Sequence, residues 1–180
     1  MGSALLSTQD VEKDGGDLTK DGDFDNDQLI CDQQDLSPET YDAERSVAFS
    51  FPSDGLGSNT LWQGITAFGT ESEAVAAFKA AKSIIRSCTG STWENGGGPQ
   101  PFLASEAEIA LPADEYFNYS WTFEDQLRVG EHLIVRDGPI VMTLYVIRYQ
   151  SVEGALQSAQ ALLRKYSAVA VDKLRRVTKL

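Results

Sequence analysis

The sequence has few of the residues on which enzymes and cofactor sites depend. Its 180 residues include one histidine, two cysteines and two methionines. It contains no G-x-S-x-G elbow, no P-loop and no G-x-G-x-x-G fingerprint, the motifs by which many hydrolases and nucleotide-binding proteins are recognised. Two cysteines cannot build a four-cysteine zinc site, and they permit at most one disulfide. These absences argue against catalysis and against a bound cofactor or metal.

Two weak catalytic candidates remain. His132 lies alone in a strand pattern, where a structural role is the more common one, although an ordinary histidine titrates near neutral pH. Glu106 and Glu108 lie on one face of a predicted strand, but glycoside hydrolysis needs two carboxyl groups separated across a cleft. Nothing else in the sequence supports that chemistry, so we predict that the protein is not an enzyme.

Positive charge is also scarce. Lysine and arginine number 15 against 27 acidic residues, which gives a net charge of -12. Residues 1–44 hold 13 acids and 2 bases, whereas residues 45–180 hold 14 acids and 13 bases, so the acidity belongs to the N-terminal segment. Nucleic-acid binding requires a basic surface that neutralises phosphates. Nucleic acid is therefore excluded as a partner.

Long apolar runs are missing as well, so we expect neither a transmembrane helix nor a signal peptide. The start "MGSALLS" lacks the charged beginning and apolar stretch of a leader. We interpret residues 1–3 as a cloning remnant and expect a native targeting segment or anchor to have been removed. Residues 4–176 are predicted to form one domain, with an acidic N-terminal segment at 10–44 and a tail at 177–180.

The acidic stretch "KDGDFDNDQLICD" resembles a calcium loop only in part. Asp21, Asp23, Asp25 and Asp32 match ligand positions 1, 3, 5 and 12 of an EF-hand. The sixth position is Asn26 where the turn needs glycine, and no long amphipathic helix follows. The pattern favours a solvated acidic loop without tight calcium binding, and weak cation binding is left open.

The two cysteines are either separate buried thiols or a single disulfide. A bond between Cys31 and Cys88 would close a loop of about 57 residues. In the entropy model such a bond constrains the unfolded chain by about 4 kcal/mol. It would suit an oxidising, extracellular setting. We predict that the bond forms.

Hydrophobic periodicity predicts six strands and three helices. The strands are "RSVAFSF", "LWQGITAF", "FLASEAEIAL", "EYFNYSWTFE", "QLRVGEHLIVR" and "PIVMTLYVIRY", with loops at residues 15–27 and 89–101. A short helix follows a cap at Ser7 or Thr8, and a longer one follows a capping box of Thr70 and Glu73. A long apolar-striped helix closes the chain. We predict an α+β fold, an antiparallel sheet of five to six strands with the two main helices on one face.

The last two strands supply the candidate site. A turn at Asp137-Gly138 would place Val135 opposite Ile140 and His132 opposite Thr143. One face of this hairpin is then apolar, with Glu131 as an exception. The other face mixes polar and apolar side chains. On it we place five candidate ligand-binding residues: Arg128, His132, Thr143, Tyr145 and Tyr149. We expect the two tyrosines to form an exposed row.

Another strand carries aromatic residues on one side, at Phe117, Tyr119, Trp121 and Phe123. Core packing is the favoured interpretation, because aromatic residues suit half-buried strands. A ligand-stacking wall is the alternative, since tyrosine and tryptophan combine an apolar ring with a polar group.

The arrangement resembles the PknH-like extracellular sensor domain family. The resemblance rests on "LLSTQDV", "FGTESEAVAAFKAAKSIIRSC", "VGEHLIVRDGPIVMTLYV" and the alanine-rich final helix, and it covers most of residues 4–176. The family occurs in actinobacteria, as the outer part of receptor serine/threonine kinases and as lipoproteins. It implies an extracellular or cell-surface α+β domain with a ligand cleft beside the sheet, commonly with two disulfides, of which this chain can make one.

Two functions are left open. The first is a sensor or ligand-binding module for a small molecule or a cell-wall component. The second is a secreted or lipid-anchored domain that binds another protein or the cell wall. A concave pocket of several hundred Å³ would favour the first, and a flat apolar patch the second.

Overall fold

The structure is a computed structural model that describes residues 2–22, 41–52, 59–90, 92–95, 98–106, 109–123, 129–148 and 154–179. Within these ranges the chain forms three α-helices, eight strands and two 3₁₀ turns, at Gly2–Ala4 and Glu12–Asp14. The helices are α1 (Thr8–Val11), α2 (Glu71–Cys88) and α3 (Ala155–Thr178). The strands are β1 (Asp17–Gly22), β2 (Ala43–Phe51), β3 (Asn59–Ala67), β4 (Thr92–Asn95), β5 (Gly98–Glu106), β6 (Glu115–Phe123), β7 (Val129–Asp137) and β8 (Ile140–Arg148).

The strands pair antiparallel in the order β1-β2-β3-β8-β7-β6-β5-β4. All six predicted strands are present, and the mixed α and β class is confirmed. The structure contradicts the loops predicted at 15–27 and 89–101 where it has β1, β4 and the first residues of β5. Strands β1 and β4 lie at the two edges of the sheet, and main-chain hydrogen bonds to one neighbour can hold a polar edge strand that lacks an apolar pattern.

The hairpin of β7 and β8 differs from its predicted register by two residues. Asp137 pairs with Ile140, so Gly138 and Pro139 are the two turn residues. Gly138 has φ 56°, which suits the first central position of a two-residue hairpin turn. His132 therefore faces Tyr145 and not Thr143. A shift of two leaves every side chain on its predicted face.

The two main helices pack on opposite faces of the sheet, so the prediction of one shared face is wrong. Helix α3 covers the face that carries Leu133 and Met142. Helix α2 covers the other face, where Phe78 packs with Ile134 and Val141. In the central strands, apolar side chains point to both faces of the sheet, which is the pattern of a sheet that is covered on both sides.

Both predicted capping sites are confirmed. The Asp10 carboxylate accepts hydrogen bonds from the Ser7 N–H and hydroxyl, each at 2.7 Å, at the start of α1. At the start of α2, the Glu73 N–H donates to Thr70 Oγ1 at 3.2 Å, and Glu73 Oε2 accepts from the Thr70 N–H at 2.8 Å. These bonds satisfy main-chain donors that a helix start leaves open.

The N-terminal segment, residues 2–16, is fixed between the sheet and α3. Ala4, Leu5, Leu6 and Val11 are buried in the same core as α3. Gln63 of β3 accepts from the Leu6 N–H at 2.6 Å and donates to the Ala4 carbonyl at 3.3 Å. From α3, the Lys173 ammonium donates to the Leu5 carbonyl at 3.1 Å and to Asp10.

We expect the substitution Gln63→Leu to lower the free energy of unfolding by about 2 kcal/mol. The change leaves the buried Leu6 N–H and Ala4 carbonyl without their partner, and an orphaned buried group costs about 1–3 kcal/mol. Urea unfolding followed by circular dichroism measures the loss. The matched control is Gln157→Leu, because Gln157 is exposed on α3. Equal stability of the two variants would contradict the anchoring role of Gln63.

Candidate functional site

A row of four rings crosses the face of the sheet on which the candidate residues were predicted. The rings belong to Trp62, Tyr145, His132 and Tyr119, which are cross-strand partners on β3, β8, β7 and β6. Their centroids are 5.8, 5.1 and 5.1 Å apart in that order. All four side chains are buried. We call them the ring row.

His132 is held neutral inside the ring row. Its Nδ1 lies 2.7 Å from the Tyr119 hydroxyl, and its Nε2 is buried without a hydrogen-bond partner. Burial lowers the pKa of His132 to about 3. Burial, with smaller contributions from Tyr145 and Glu131, raises the pKa of Tyr119 well above its usual value. Neither group changes charge near neutral pH.

The structure brings some of the predicted site residues together. Tyr145 lies beside His132, but it is 2% exposed, so the predicted exposed row of tyrosines is wrong at this position. Thr143 lies on the same face, half-buried, opposite Ile134 and Gly64. Arg128 and Tyr149 lie outside the described residues. Ligand contact by this set stays a prediction.

The aromatic strand β6 is part of the core. Phe117, Tyr119 and Trp121 are buried in one cluster with α2, as the favoured interpretation held. The side chain of Phe123 lies outside the described ones.

Glu131 is a buried carboxylate on the opposite face, below α3, and is 1% exposed. Its Oε1 accepts a hydrogen bond from Asn118 Nδ2 at 2.6 Å, and its Oε2 accepts one from Ser120. Gln160 of α3 donates to the Ser120 hydroxyl at 2.8 Å. A buried carboxyl group needs such partners, and Asn118 and Ser120 supply them directly.

Most of the acidic stretch and of the predicted disulfide lies outside the described residues. Asp21 is described, and its carboxylate pairs with the Arg45 guanidinium of β2 at 3.1 Å. Cys31 is not described, and of Cys88 only its place at the end of α2 is given. Both the disulfide and the weakness of calcium binding stay predictions.

A cavity of about 350 Å³ lies between the start of α3 and the ends of three strands, and we call it the helix–sheet cavity. Phe51, Asn59 and Arg148 lie side by side in its floor, because they are cross-strand partners on β2, β3 and β8. Ser158, Leu162 and Lys165 form the helical wall. These residues lie on the α3 side of the sheet, opposite the ring row.

Two polar groups of this cavity can form further hydrogen bonds. Asn59 is 6% exposed, and its Oδ1 is buried and accepts no hydrogen bond. The Arg148 guanidinium, which is fully buried, donates to the Ser158 hydroxyl oxygen. Because that oxygen accepts from a cation, the Ser158 hydroxyl hydrogen points elsewhere and is polarised as a donor.

An ion pair stands at the rim of the helix–sheet cavity. The Lys165 ammonium lies 2.5 Å from Asp14 Oδ1, and the Tyr166 hydroxyl donates to the other oxygen of the same carboxylate. These two hydrogen bonds lower the pKa of Asp14. Among the described residues, the lining therefore includes two cations and one carboxylate, in a chain whose net charge is -12.

Sequence reasoning missed Asn59, Arg148 and Ser158. One signal was available, because Arg148 shares the phase of Met142 and Leu144 on β8 and so puts a charge on the apolar face. Asn59 had no signal, since asparagine near a turn is ordinary.

Three or more metal-ligating side chains do not converge anywhere in the described ranges. No helix among the described residues is long and apolar enough to cross a membrane.

A solved structure has the same architecture as this chain. The chain has the fold of the extracellular domain of PknH from Mycobacterium tuberculosis. The two structures superpose with a TM-score of 0.66 over 98% of this chain and 95% of that one, at 18% sequence identity. Identity at this level shows the fold alone, and it confirms the fold that the sequence resemblance implied. Neither protein-family models nor the sequences of curated proteins match the chain.

Proposed function

We propose that this protein is a ligand-binding module of the extracellular sensor type, related to the PknH-like domains, and that it binds a small polar molecule in the helix–sheet cavity without chemical turnover. The observation that carries the proposal is Asn59 Oδ1, a buried acceptor without a partner in the floor of a cavity of about 350 Å³. An unsatisfied buried polar atom costs stability, and a ligand that donates to it would recover that cost.

The fold supports the same role. The extracellular domain of PknH shares the architecture over nearly the whole chain, which makes a surface location the natural one. The predicted bond between Cys31 and Cys88 fits an oxidising compartment. We place the protein at the actinobacterial cell surface, as a lipoprotein or as the ectodomain of a receptor. Its partner is then a small molecule or a cell-wall component.

The absence of turnover is part of the proposal. His132 is buried with a pKa of about 3, and it lies on the face of the sheet opposite the cavity. The described lining residues offer an amide, a hydroxyl, two cations and the Asp14 carboxylate, which is already engaged by Lys165 and Tyr166. Those groups contain no activated nucleophile beside a base, which covalent catalysis requires.

Saturation-transfer NMR with a library of small polar compounds tests the proposal. Ala161 is exposed and lines the cavity, so Ala161→Trp should fill the opening and abolish the signals of bound compounds. Ala168→Trp is the matched control, because Ala168 is exposed on α3 away from the lining. We expect hits that survive Ala168→Trp and disappear with Ala161→Trp. No hits, or hits that ignore Ala161→Trp, would contradict the proposed site.

A protein-interaction domain is the second candidate, and one observation favours it. Among the described residues, β5 pairs with β6 as far as Glu106 and Tyr119, and residues 115–118 of β6 extend beyond that pair. A cavity of about 540 Å³ opens beside this edge, lined by Tyr116 and Asn118. An open strand edge can take an added strand from a partner. Library compounds that still bind the Ala161→Trp variant would favour this strand edge over the helix–sheet cavity as the binding surface.

A further inference from the structure

We infer that the ligand of the helix–sheet cavity is an uncharged secondary amide, the group that forms when an amine is acylated. This inference rests on the proposed function and specifies the chemistry of its ligand. It depends on the Asn59 amide in the floor, the Ser158 hydroxyl in the helical wall and the apolar side chains of the same lining.

The charged groups of the lining are already engaged, so the cavity does not favour an ionic ligand. The Lys165 ammonium and the Asp14 carboxylate form an ion pair at 2.5 Å, and the Tyr166 hydroxyl donates to the same carboxylate. The Arg148 guanidinium is fully buried, donates to the Ser158 oxygen and has a further interaction besides. A charged ligand would therefore lose its hydration without gaining an unpaired counter-charge from the described lining residues.

The floor requires a hydrogen-bond donor from the ligand. Asn59 Oδ1 can only accept, and it is buried with no hydrogen-bond partner. The free protein already bears the cost of burying that atom, so a ligand N–H that bonds to it recovers the cost. Asn59 is the cross-strand partner of Arg148, and Arg148 donates to Ser158, so the two ligand-binding groups neighbour the same arginine.

The helical wall requires a hydrogen-bond acceptor from the ligand. The Ser158 oxygen accepts from Arg148, so the hydroxyl hydrogen is left to donate. The cation polarises that hydroxyl group and strengthens the bond that it donates. A carbonyl oxygen is an uncharged acceptor that meets this requirement.

The number of these groups favours an amide over a sugar or another polyol. In the part of the lining that the structure describes, one acceptor and one donor stand beside four apolar side chains: Phe51, Pro52, Ala161 and Leu162. A polyol would bury several hydroxyl groups, and most of them would lack a partner. A trans secondary amide carries one donor and one acceptor and directs them to opposite sides of a planar group. A volume of about 350 Å³ holds such a group with a six-membered ring attached.

Three matched cyclohexyl compounds test the assignment by chemical-shift titration of the protein. N-Cyclohexylacetamide has both the N–H and the carbonyl oxygen. Cyclohexyl acetate replaces the N–H by an ester oxygen, and N-cyclohexylthioacetamide replaces the carbonyl oxygen by sulfur, a weak acceptor. We expect the amide to bind at least about fivefold more tightly than either, since one net hydrogen bond contributes about that much. An ester as tight as the amide would overturn the bond to Asn59, and a thioamide as tight as the amide would overturn the bond to Ser158.

Two charged compounds with the same ring test whether the ligand is neutral. Cyclohexanecarboxylate and cyclohexylammonium should each bind more weakly than N-cyclohexylacetamide, because the charges of the lining already have partners. Tighter binding of either ion than of the amide would overturn the neutral class.

Two variants assign the contacts. Asn59→Leu should abolish the preference for the amide over the ester and keep the preference over the thioamide, and Ser158→Ala should do the reverse. Ser83→Ala, at an exposed serine on α2, is the control and should keep both preferences. A preference that survives the loss of its assigned partner would contradict that contact. If either variant fails to fold, the comparison of the compounds on the unaltered protein still decides the ligand class.

The outcome also separates this inference from the proposed function. Library compounds that no longer bind the Ala161→Trp variant, together with no preference for N-cyclohexylacetamide, would leave the binding site standing and reject the amide class. The absence of any library compound that Ala161→Trp displaces would reject both. A preference for the amide that persists in Ala161→Trp would reject this cavity as its location.

Discussion

Gly130→Ala should lower the free energy of unfolding by about 3 kcal/mol, the upper part of the range for overpacking a core. Gly130 of β7 is the cross-strand partner of Trp121, and the indole ring lies directly over it. A Cβ atom at Gly130 would lie 2.4 Å from Trp121 Cζ2 and 2.5 Å from Cε2, closer than non-bonded atoms approach. The ring is buried in the cluster with α2, so relief requires a shift of the strand or of the indole.

The control for this prediction is Gly69→Ala. An added Cβ there meets Glu73 Oε2 at 3.4 Å, an ordinary contact, so the change should stay within about 0.5 kcal/mol. A double-mutant cycle with Trp121→Leu isolates the clash, because the smaller side chain leaves room for the new methyl group. We expect the double variant to lose less stability than the two single losses together. Strict additivity, or a Gly130→Ala protein as stable as Gly69→Ala, would refute the contact as the cause.

Acidification from pH 7.5 to pH 5.0 should lower the free energy of unfolding by about 2 kcal/mol through His132 alone. In the folded protein burial lowers the pKa of His132 to about 3, whereas an unfolded histidine titrates near 6.5. Below 6.5 the unfolded chain therefore binds a proton that the folded protein refuses. The contribution of neutral His132 to the free energy of unfolding is fully present above pH 6.5. It falls by about 1.4 kcal/mol per pH unit as the pH drops from 6.5 toward 3.

This window reports on one group, because the chain has a single histidine. Asp10 and Asp14 have pKa values below 3.8, so they stay ionised above pH 5: at Asp10 hydrogen bonds outweigh burial, and at Asp14 bonds from Lys165 and Tyr166 dominate. Urea unfolding at a series of pH values measures the slope. His132→Gln should remove most of the slope between pH 7.5 and 5.0. A slope that persists in this variant would show that His132 is not its source.

The sequence carried enough information for the strands and the caps. Alternating and β-branched residues placed all six core strands, and side-chain chemistry at Ser7 and Thr70 placed two helix starts. Both signals are local, because a strand face or a cap is decided within a few residues. The hairpin register failed on a local detail, since the turn used Gly138 and Pro139 in place of the Asp-Gly pair.

The remaining features depend on contacts between distant residues. Helix α2 has an apolar stripe that would fit either face of a sheet, and only the packing of Phe78 against Ile134 and Val141 decides its side. The cavity combines Asn59, Arg148 and Ser158, and Asn59 is about 90 residues from Arg148 and about 100 from Ser158 in the chain. Its floor depends on the pairing of β3 with β8, which no local pattern indicates.

Helix α3 contacts two separate parts of the molecule along its length. Near one end, Ser158 and Lys165 line the helix–sheet cavity, and toward the other end Lys173 holds the main chain of the N-terminal segment at Leu5. The 15 residues from Ser158 to Lys173 span about 22 Å at 1.5 Å per residue. A tilt of about 5° around the middle of that span would move each end by about 1 Å in opposite directions. The N-terminal segment therefore contacts α3 at both points, through Asp14 at the cavity rim and through Leu5 near the other end, so a tilt of the helix would displace both contacts.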